Sequence, residues 1–296
     1  MQPSPPARLL QLGLAAVLAV LVGACADSTS TTEPPTTDEP TDPATSQPAG
    51  AATDGVTLVE VVDGDTIVVL VDGTEERVRI VGINTPESGE CLADAAGDRL
   101  GDLLASGTIT LTADQSDRDQ YGRLLRYVEV DGDDVGERLV AEGLAISRRY
   151  EPDTARAANY DGAQASAEEQ HLGQWAADAC GPATNASLAI VEINADAPGD
   201  DGQNLNGEWV VIRNDGGVAL DLTGWGIKDE SASNRYEFPD GFVLPVDATV
   251  TVLSGCGDDD VATVHWCASG SAIWTNAGDT VFVLDPAGNV VVSRSY

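Results

Sequence analysis

Carboxylates, arginines and a proline turn fall within one short stretch of this chain. The stretch runs from Val61 to Glu87 and reads VVDGDTIVVLVDGTEERVRIVGINTPE. Asp65 opens a β-branched run, and Arg79 lies in the run that follows it. Carboxylates beside a guanidinium predict a site for a hard cation and a phosphate, because Ca²⁺ prefers oxygen ligands and arginine pairs with phosphate through two hydrogen bonds.

The local pattern predicts two strands that fold back on each other. Ile67 to Val71 and Arg77 to Ile83 are rich in strand-forming residues, and Asp72-Gly73 between them is a strong signal for a two-residue hairpin turn. Such a hairpin brings the start of its first strand near the end of its second. We therefore expect the carboxylate of Asp65 to lie near the guanidinium of Arg79.

Sequence blocks in this region resemble the signature of a known family. They are Val62-Asp63-Gly64-Asp65-Thr66, Arg79 with Thr85-Pro86-Glu87 after it, and Asp119-Gln120-Tyr121-Gly122-Arg123. In order and spacing they resemble the blocks of the thermonuclease (staphylococcal nuclease-like) family. The resemblance extends over residues 55–175, and several spaced blocks are far more specific than any one of them.

The resemblance implies a role for each residue of the site. The calcium ligands would be Asp65, Asn84 and, through its backbone carbonyl, Thr85; Glu87 would act on the attacking water; Arg79 and Arg123 would bind the phosphate. The best-known member of the family has an aspartate at the position of Asn84, so this chain offers the ion one negative charge fewer. Without the resemblance, the same residues are also compatible with a surface ion-pair network around a turn.

The rest of this region predicts an α+β fold. Helical patterns cover Cys91 to Leu104, Val135 to Glu142 and Thr154 to Leu172, the last with Thr154 as its N-cap, and strand patterns cover Thr108 to Thr112 and Leu124 to Val130. Together with the hairpin, these patterns suit a five-stranded OB-fold barrel with helices, which is the fold that the resemblance implies. We expect this domain at residues 56–180.

Beyond a short linker rich in Ala, Gly and Pro, the pattern changes to strands alone. Strand patterns occur at residues 188–193, 208–213, 225–228, 248–253, 280–284 and 290–293. Short strands separated by turn residues are typical of an all-β sandwich. Glu208 to Asn214 and Leu220 to Trp225 resemble the lamin-tail domain, an Ig-like module. We therefore expect a lamin-tail-like sandwich at residues 186–296, whose partner the sequence does not identify.

The N-terminal segment is typical of an export signal. It has one basic residue, an apolar run from Leu9 to Val22, and two small residues just before Cys25. This layout resembles a bacterial lipoprotein signal, which predicts a signal peptide at residues 1–24 and a membrane anchor through acylated Cys25. The alternative is an ordinary cleaved signal with an incidental cysteine. Residues 25–55 are rich in Ser, Thr, Pro and acidic residues, which predicts a disordered tether at the cell surface.

Cysteine usage agrees with export. Apart from Cys25, the chain has Cys91, Cys180, Cys256 and Cys267, an even number that suits an oxidising compartment. Three pairings are possible, and domain membership favours Cys91 with Cys180 and Cys256 with Cys267. A zinc site is the rival interpretation, but no CxxC spacing supports it.

The charge of the chain keeps a second function class open. The chain carries a formal net charge of −34, and residues 55–180 have 26 acidic and 10 basic residues, a net of −16. Proteins that bind DNA without sequence preference usually present a basic surface. A non-catalytic cell-surface module that binds a polymer or a protein is therefore the alternative to a surface-tethered, calcium-dependent nuclease acting on DNA or RNA. A local basic groove would favour the enzyme, and its candidates are Arg118, Arg123, Arg126, Arg148, Arg149 and Arg156.

Overall fold

The computed structural model describes residues 52–231, 233–268 and 271–296. The predicted signal peptide, Cys25 and residues 25–51 of the predicted tether lie outside this part of the chain. The described residues all belong to one compact unit. Within them, no helix is long and apolar enough to cross a membrane.

The first half of the described chain is a closed β-barrel with helices packed against it. Its strands are β1 (Ala52–Val61), β2 (Thr66–Val71), β3 (Thr74–Ile80), β4 (Ile83–Asn84), β5 (Ile109–Thr112), β6 (Leu124–Val130), β7 (Asp133–Asp134) and β8 (Ile146–Ser147). Its helices are α1 (Ala93–Leu104), α2 (Val135–Ala141) and α3 (Ala157–Glu169), followed by a 3-10 turn at Gly173–Trp175. Neighbouring strands follow the order β3-β2-β1-β5-β6, and a parallel pairing of β3 with β6 closes the barrel. The predicted α+β, OB-like barrel is confirmed.

The predicted hairpin joins β2 to β3. Asp72 and Gly73 have positive φ angles of 50° and 82°, which suit the right-handed twist of the two strands. The register pairs Thr66 with Arg79, and the backbone N–H of Ile80 donates to the carbonyl of Asp65 at 2.8 Å. The local sequence of the turn therefore determines the strand register that brings Asp65 next to Arg79.

Helix α3 begins later than the sequence predicts. Its N-cap is Arg156, not Thr154, and no side chain caps it. The preceding segment is held against the barrel instead, because Asp153 accepts the backbone N–H groups of Gln115 and Ser116 at 2.9 and 2.7 Å. This tertiary contact keeps Thr154 out of the helix.

The second half of the chain is all-β, as predicted. Its strands are β9 (Leu188–Asn194), β10 (Trp209–Asn214), β11 (Leu220–Asp221), β12 (Gly226–Lys228), β13 (Arg235–Glu237), β14 (Val243–Leu244), β15 (Thr249–Leu253), β16 (Thr263–His265), β17 (Thr280–Leu284) and β18 (Val290–Ser295). Two four-stranded sheets, β16-β15-β10-β9 and β13-β12-β17-β18, bury Ile212, Trp225 and Val283 in a common core.

The sandwich packs directly on the barrel through an apolar cluster. Ile146, Ala167 and Trp175 of the barrel half bury against Phe282 of β17, and the rings of Trp175 and Phe282 are 6.1 Å apart. The segment that the sequence predicts to be a linker therefore connects two domains that pack against each other.

Both predicted disulfides are present. Cys91 and Cys180 are joined with a Cα–Cα distance of 5.6 Å, and Cys256 is joined to Cys267. The first bridge also touches the sandwich, because the backbone N–H of Cys180 donates to Asn289 Oδ1 at 2.8 Å.

Candidate active site

A cavity of about 780 Å³ opens on the side of the barrel. It gathers residues from β2, β3, the segment after β4 and the loop before β6. Of the predicted site residues, the cavity lining includes Asp65, Arg79, Asn84, Glu87 and Arg123. Thr85 is buried directly behind the lining, in contact with Asp65. The site residues that lie apart in the sequence are thus brought to one place.

Asp65 is the buried centre of the cluster. Its Oδ2 atom lies 3.0 Å from Arg79 Nη2 in an ion pair, and it accepts hydrogen bonds from the backbone N–H and the hydroxyl of Thr85 at 3.1 and 3.2 Å. Its Oδ1 atom accepts from the hydroxyl of Thr66 at 3.1 Å. Burial raises the pKa of Asp65 because it disfavours the charged form, and the positive charge of Arg79 works in the opposite direction.

Gly64 allows the turn before Asp65 to approach its neighbours. A Cβ atom at this position would lie 2.8 Å from the Cβ atoms of both Ala96 and Thr85. Only glycine can therefore occupy this position without displacing helix α1 or the Thr85 backbone.

Arg79 is held by a set of backbone carbonyls. Its Nη1 atom donates to Ile80 O at 2.5 Å, and Nη2 donates to Ile83 O at 2.9 Å and to Asn84 Oδ1 at 3.1 Å. A guanidinium fixed in this way presents its charge to the cavity without further ordering, which suits recognition of a phosphate.

Both polar atoms of the Asn84 side-chain amide form hydrogen bonds. Its oxygen accepts from Arg79, while Nδ2 donates to the backbone carbonyl of Glu230, in the sandwich, at 3.0 Å. A carboxylate could not make the second hydrogen bond, because it has no hydrogen to donate. This contact gives a physical reason for asparagine where the resemblance implies aspartate.

The donors match calcium by chemical type. Asp65, Asn84 and Thr85 each offer an oxygen atom as ligand, as a hard cation requires. The carboxylate of Asp63 also lines the cavity, and the charge of Asp63 raises the pKa of Asp65, so the cluster holds negative charge that a divalent cation would balance. Within the described residues, no group of three or more His, Cys, Asp or Glu is arranged to hold a metal ion. The ligand roles therefore stay predictions.

Glu87 lies at the exposed rim of the same cavity. Its backbone N–H donates to Glu90 Oε2 at 2.9 Å. Partial burial raises the pKa of the Glu87 carboxyl, and the neighbouring charges of Asp65, Asp63 and Glu90 raise it further. A carboxylate with a raised pKa is a better proton acceptor, as a general base requires.

Arg123 reaches the cavity from the loop before β6. Asp119 orients it by accepting from the Arg123 backbone N–H at 2.9 Å and from Nε at 2.7 Å. Gly122 allows the turn with a φ of 81°, and the guanidinium lies 5.6 Å from the centre of the Tyr121 ring. In the described part of the chain, the terminal amino groups of Arg123 have no hydrogen-bond partner, so they can bind an anion.

The predicted basic groove is only partly present. Arg118, Arg123 and Arg148 line the cavity, whereas the other three candidates pair with carboxylates outside its lining. Arg126 is buried against Asp117, and Arg149 pairs with Asp161. The third, Arg156, joins Glu129 and Asp134.

The cavity lining also includes two tyrosines, of which Tyr150 lies near the position where the family resemblance implies a substrate-contacting tyrosine, and two serines that sequence reasoning missed. Tyr121 and Tyr150 are 76% and 57% exposed at its edge, and aromatic rings in this position can stack on nucleobases. Ser231 and Ser233 belong to the sandwich, and no local signal connects them to the barrel. Tyr121 was recognisable only as part of its five-residue block.

The fold is an OB-like barrel with helices packed against it, joined to a β-sandwich. The site is a cavity of this barrel that is lined by carboxylates and arginines. A family model for staphylococcal nuclease homologues matches residues 77–177, and one for the lamin tail domain matches residues 181–296. The chain belongs to the staphylococcal nuclease homologue family and carries a lamin tail domain after the nuclease-like domain.

Similar proteins are bacterial nucleases. The thermonuclease of Staphylococcus intermedius is 33% identical over 121 residues, which are 39% of this chain and 72% of that protein. The SPbeta prophage-derived endonuclease YokF of Bacillus subtilis is 37% identical over 128 residues, 40% of this chain and 43% of the relative. Endonuclease YncB of the same organism is 35% identical over 40% of this chain and 61% of its own length. The chain thus spans about half the length of the two Bacillus relatives.

Proposed function

We propose that this protein is a calcium-dependent nuclease that hydrolyses phosphodiester bonds of DNA or RNA. The proposal rests on one observation: a single cavity is lined by Asp65, Arg79, Glu87 and Arg123. The similarity to bacterial nucleases supports it, since the region that the staphylococcal nuclease family model matches, residues 77–177, contains Arg79, Glu87 and Arg123.

In this proposal each side chain performs one task. Glu87 accepts the proton of a water molecule that attacks the phosphorus, while the P–O bond to one sugar oxygen breaks and that oxygen leaves with a proton from solvent. Arg79 and Arg123 bind the phosphate oxygens and stabilise the charge that develops on them. Calcium, when bound through Asp65, Asn84 and Thr85, would supply further positive charge beside the phosphate.

The acidic surface suggests a preference for unpaired strands. The chain as a whole repels a phosphate backbone, so binding has to rely on the local arginines and on stacking. Tyr121 and Tyr150 at the edge of the cavity offer rings to bases that are free to unstack. We therefore expect denatured DNA and RNA to be cut faster than duplex DNA.

The direct test is cleavage of plasmid, denatured DNA and RNA with calcium and with EGTA. The wild type should cleave only with calcium, and Glu87→Gln and Arg123→Ala should each lower kcat/KM by about 10² or more. The matched controls are Glu169→Gln and Arg138→Ala, which alter exposed charges outside the cavity and should retain near wild-type activity. Activity within threefold of wild type in Glu87→Gln or Arg123→Ala would contradict the mechanism.

We further propose that the protein is exported and held at the cell surface by a lipid on Cys25. The sequence supports this, because an apolar run and small residues precede Cys25. Cys25→Ser should move the protein from the membrane pellet to the soluble fraction, since the acyl chains would provide its anchor. A variant that still sediments with membranes would contradict acylation at Cys25.

A further inference from the structure

The segment from Asn84 to Glu90, called the cleft segment below, carries the predicted general base and is bonded to its own barrel near its two ends. Thr85 donates to Asp65 at one end, and the carbonyl of Glu90 accepts from the backbone N–H of Ala93, the first residue of α1, at 3.3 Å at the other end. In the described part of the chain, Glu87 and Glu90 bond to each other: Glu90 N–H donates to Glu87 O at 2.8 Å, and Glu87 N–H donates to Glu90 Oε2 at 2.9 Å. The position of Glu87 therefore depends in part on what holds the carboxylate of Glu90.

The sandwich holds Glu90. Arg235, the first residue of β13, contacts Glu90 Oε1 through Nε and Nη2, both at 2.7 Å. Lys228 Nζ lies 4.0 Å from Glu90 Oε2. Burial works against the charged form of Glu90, yet the hydrogen bond from Arg235 and the charge of Lys228 keep the pKa of Glu90 below its ordinary value. Glu90 is thus a charged anchor that spans the two domains.

Arg235 is itself held in place before it reaches Glu90. Its Nη1 atom donates to the backbone carbonyls of Ser231 and Asn234 at 2.8 and 2.9 Å. A guanidinium with fixed orientation transmits its position to the carboxylate it binds, because little rotamer freedom remains.

The other end of the cleft segment is also bonded to the sandwich. Asn84 Nδ2 donates to the carbonyl of Glu230, five residues before Arg235 in the chain. The apolar contact of Trp175 with Phe282 and the hydrogen bond from Cys180 to Asn289 hold the sandwich on the barrel. The sandwich can therefore act as a rigid support for the cleft segment.

We propose that the lamin tail domain supports the nuclease site, with Arg235 as a positioning residue that sets Glu87 through Glu90. The proposal rests on the nuclease function proposed above. Arg235 does not line the 780 Å³ cavity, so its effect on the reaction passes through the cleft segment. The lamin tail domain is then part of the working enzyme, in addition to whatever else it binds.

The test compares Arg235→Ala with a matched control on the full chain. Arg235→Ala should lower kcat roughly tenfold and leave KM within about twofold, because it disturbs the geometry of the base and not the phosphate contacts. Arg235→Lys should recover part of the loss. The control is Arg213→Ala, which removes an arginine from an ion pair with Asp215 on the exposed surface of the sandwich and should leave kcat unchanged.

A second measurement reports on the segment without relying on activity. Hydrogen exchange of a peptide covering residues 84–91 should become about tenfold faster in Arg235→Ala, because the Glu87 N–H loses its fixed acceptor, and should be unchanged in Arg213→Ala. Glu90→Gln combined with Arg235→Ala should lower kcat no further than Arg235→Ala alone, since both act through one contact.

The outcomes separate the two proposals. If the wild type cleaves nucleic acid but Arg235→Ala matches Arg213→Ala in kcat and in exchange, the positioning role is refuted. If the wild type does not cleave, the nuclease proposal fails, and exchange of the 84–91 peptide alone decides whether Arg235 holds the cleft segment.

Discussion

Glu230 offers a sensitive test of the interface between the two domains. Its carboxyl is half-buried, and Oε1 accepts a hydrogen bond from the hydroxyl of Thr280 at 2.6 Å. Burial raises the pKa of Glu230 from 4.5 to about 7, with the charge of Asp279 adding to it and that of Arg148 opposing it. Replacing Glu230 with Gln removes the titration but leaves the backbone carbonyl that accepts from Asn84.

The sign of the effect follows from the direction of this pKa change. Because the folded protein holds the proton more tightly than the unfolded chain, wild-type stability decreases as the pH rises from 4.5 towards 7. Each unit of pKa difference corresponds to about 1.4 kcal/mol, so the limit is about 3 kcal/mol at high pH. Partial exposure of the carboxyl reduces this figure, and we expect about 2 kcal/mol.

The assay is urea unfolding of wild type and Glu230→Gln at pH 5 and pH 8.5, both in EGTA. The free energy of unfolding of the variant relative to wild type should increase by about 2 kcal/mol between the two pH values. In melting experiments this corresponds to roughly 4–8 °C for a folded region of this size. Any fixed effect of the new amide group is the same at both pH values and cancels in the comparison.

Glu237→Gln is the matched control, because it removes an exposed carboxylate from the next strand. Its stability should stay within about 0.5 kcal/mol of wild type at both pH values. A Glu230→Gln effect that does not change between pH 5 and pH 8.5 would show that burial does not raise the pKa of Glu230 in the folded protein.

Further predictions concern the barrel and its cleft. Gly64→Ala should lower the free energy of unfolding by about 1–3 kcal/mol in urea titrations, because the new Cβ atom overlaps Thr85; a neutral change would refute this close approach. Replacing Cys91 and Cys180 together by Ser should lower the free energy of unfolding by roughly 4–5 kcal/mol in the chain-entropy model, since the bridge spans 89 residues. Free thiols at both positions in the exported protein would contradict the bridge. Asn84→Asp should lower stability by about 1 kcal/mol in EGTA through loss of its donor to the sandwich, yet lower the calcium concentration at the midpoint of a thermal-shift titration. An unchanged calcium midpoint would mean that this residue is not a ligand.

The parts of the site that sequence reasoning anticipated depend on local geometry. The two-residue turn at Asp72-Gly73 has few alternatives, so the register of β2 with β3, and with it the meeting of Asp65 and Arg79, could be expected. Arg123 was anticipated differently, through its block, because no local rule connects its loop with β3.

Other sequence-based expectations failed where a distant contact prevailed over local preference. Thr154 is a good N-cap residue, but the hydrogen bonds from the loop at residues 115–116 to Asp153 hold the chain away from a helical start. Among the arginines, Arg126 and Arg156 resemble the cleft arginines in sequence, yet they are engaged by Asp117, Glu129 and Asp134. Which partner an arginine finds depends on residues far along the chain.

The sequence by itself determined the elements and the chemical types of the site, because strand alternation, turn residues and spaced motifs are local properties of the chain. Only the tertiary structure decided how the second domain meets the first. From the sequence, Asn84 is predicted to be a calcium ligand with one negative charge fewer than aspartate. In the folded chain its amide also donates to the carbonyl of Glu230, 146 residues away. Contacts such as Arg235 with Glu90 have no sequence signature, because they arise from the packing of two separately formed surfaces.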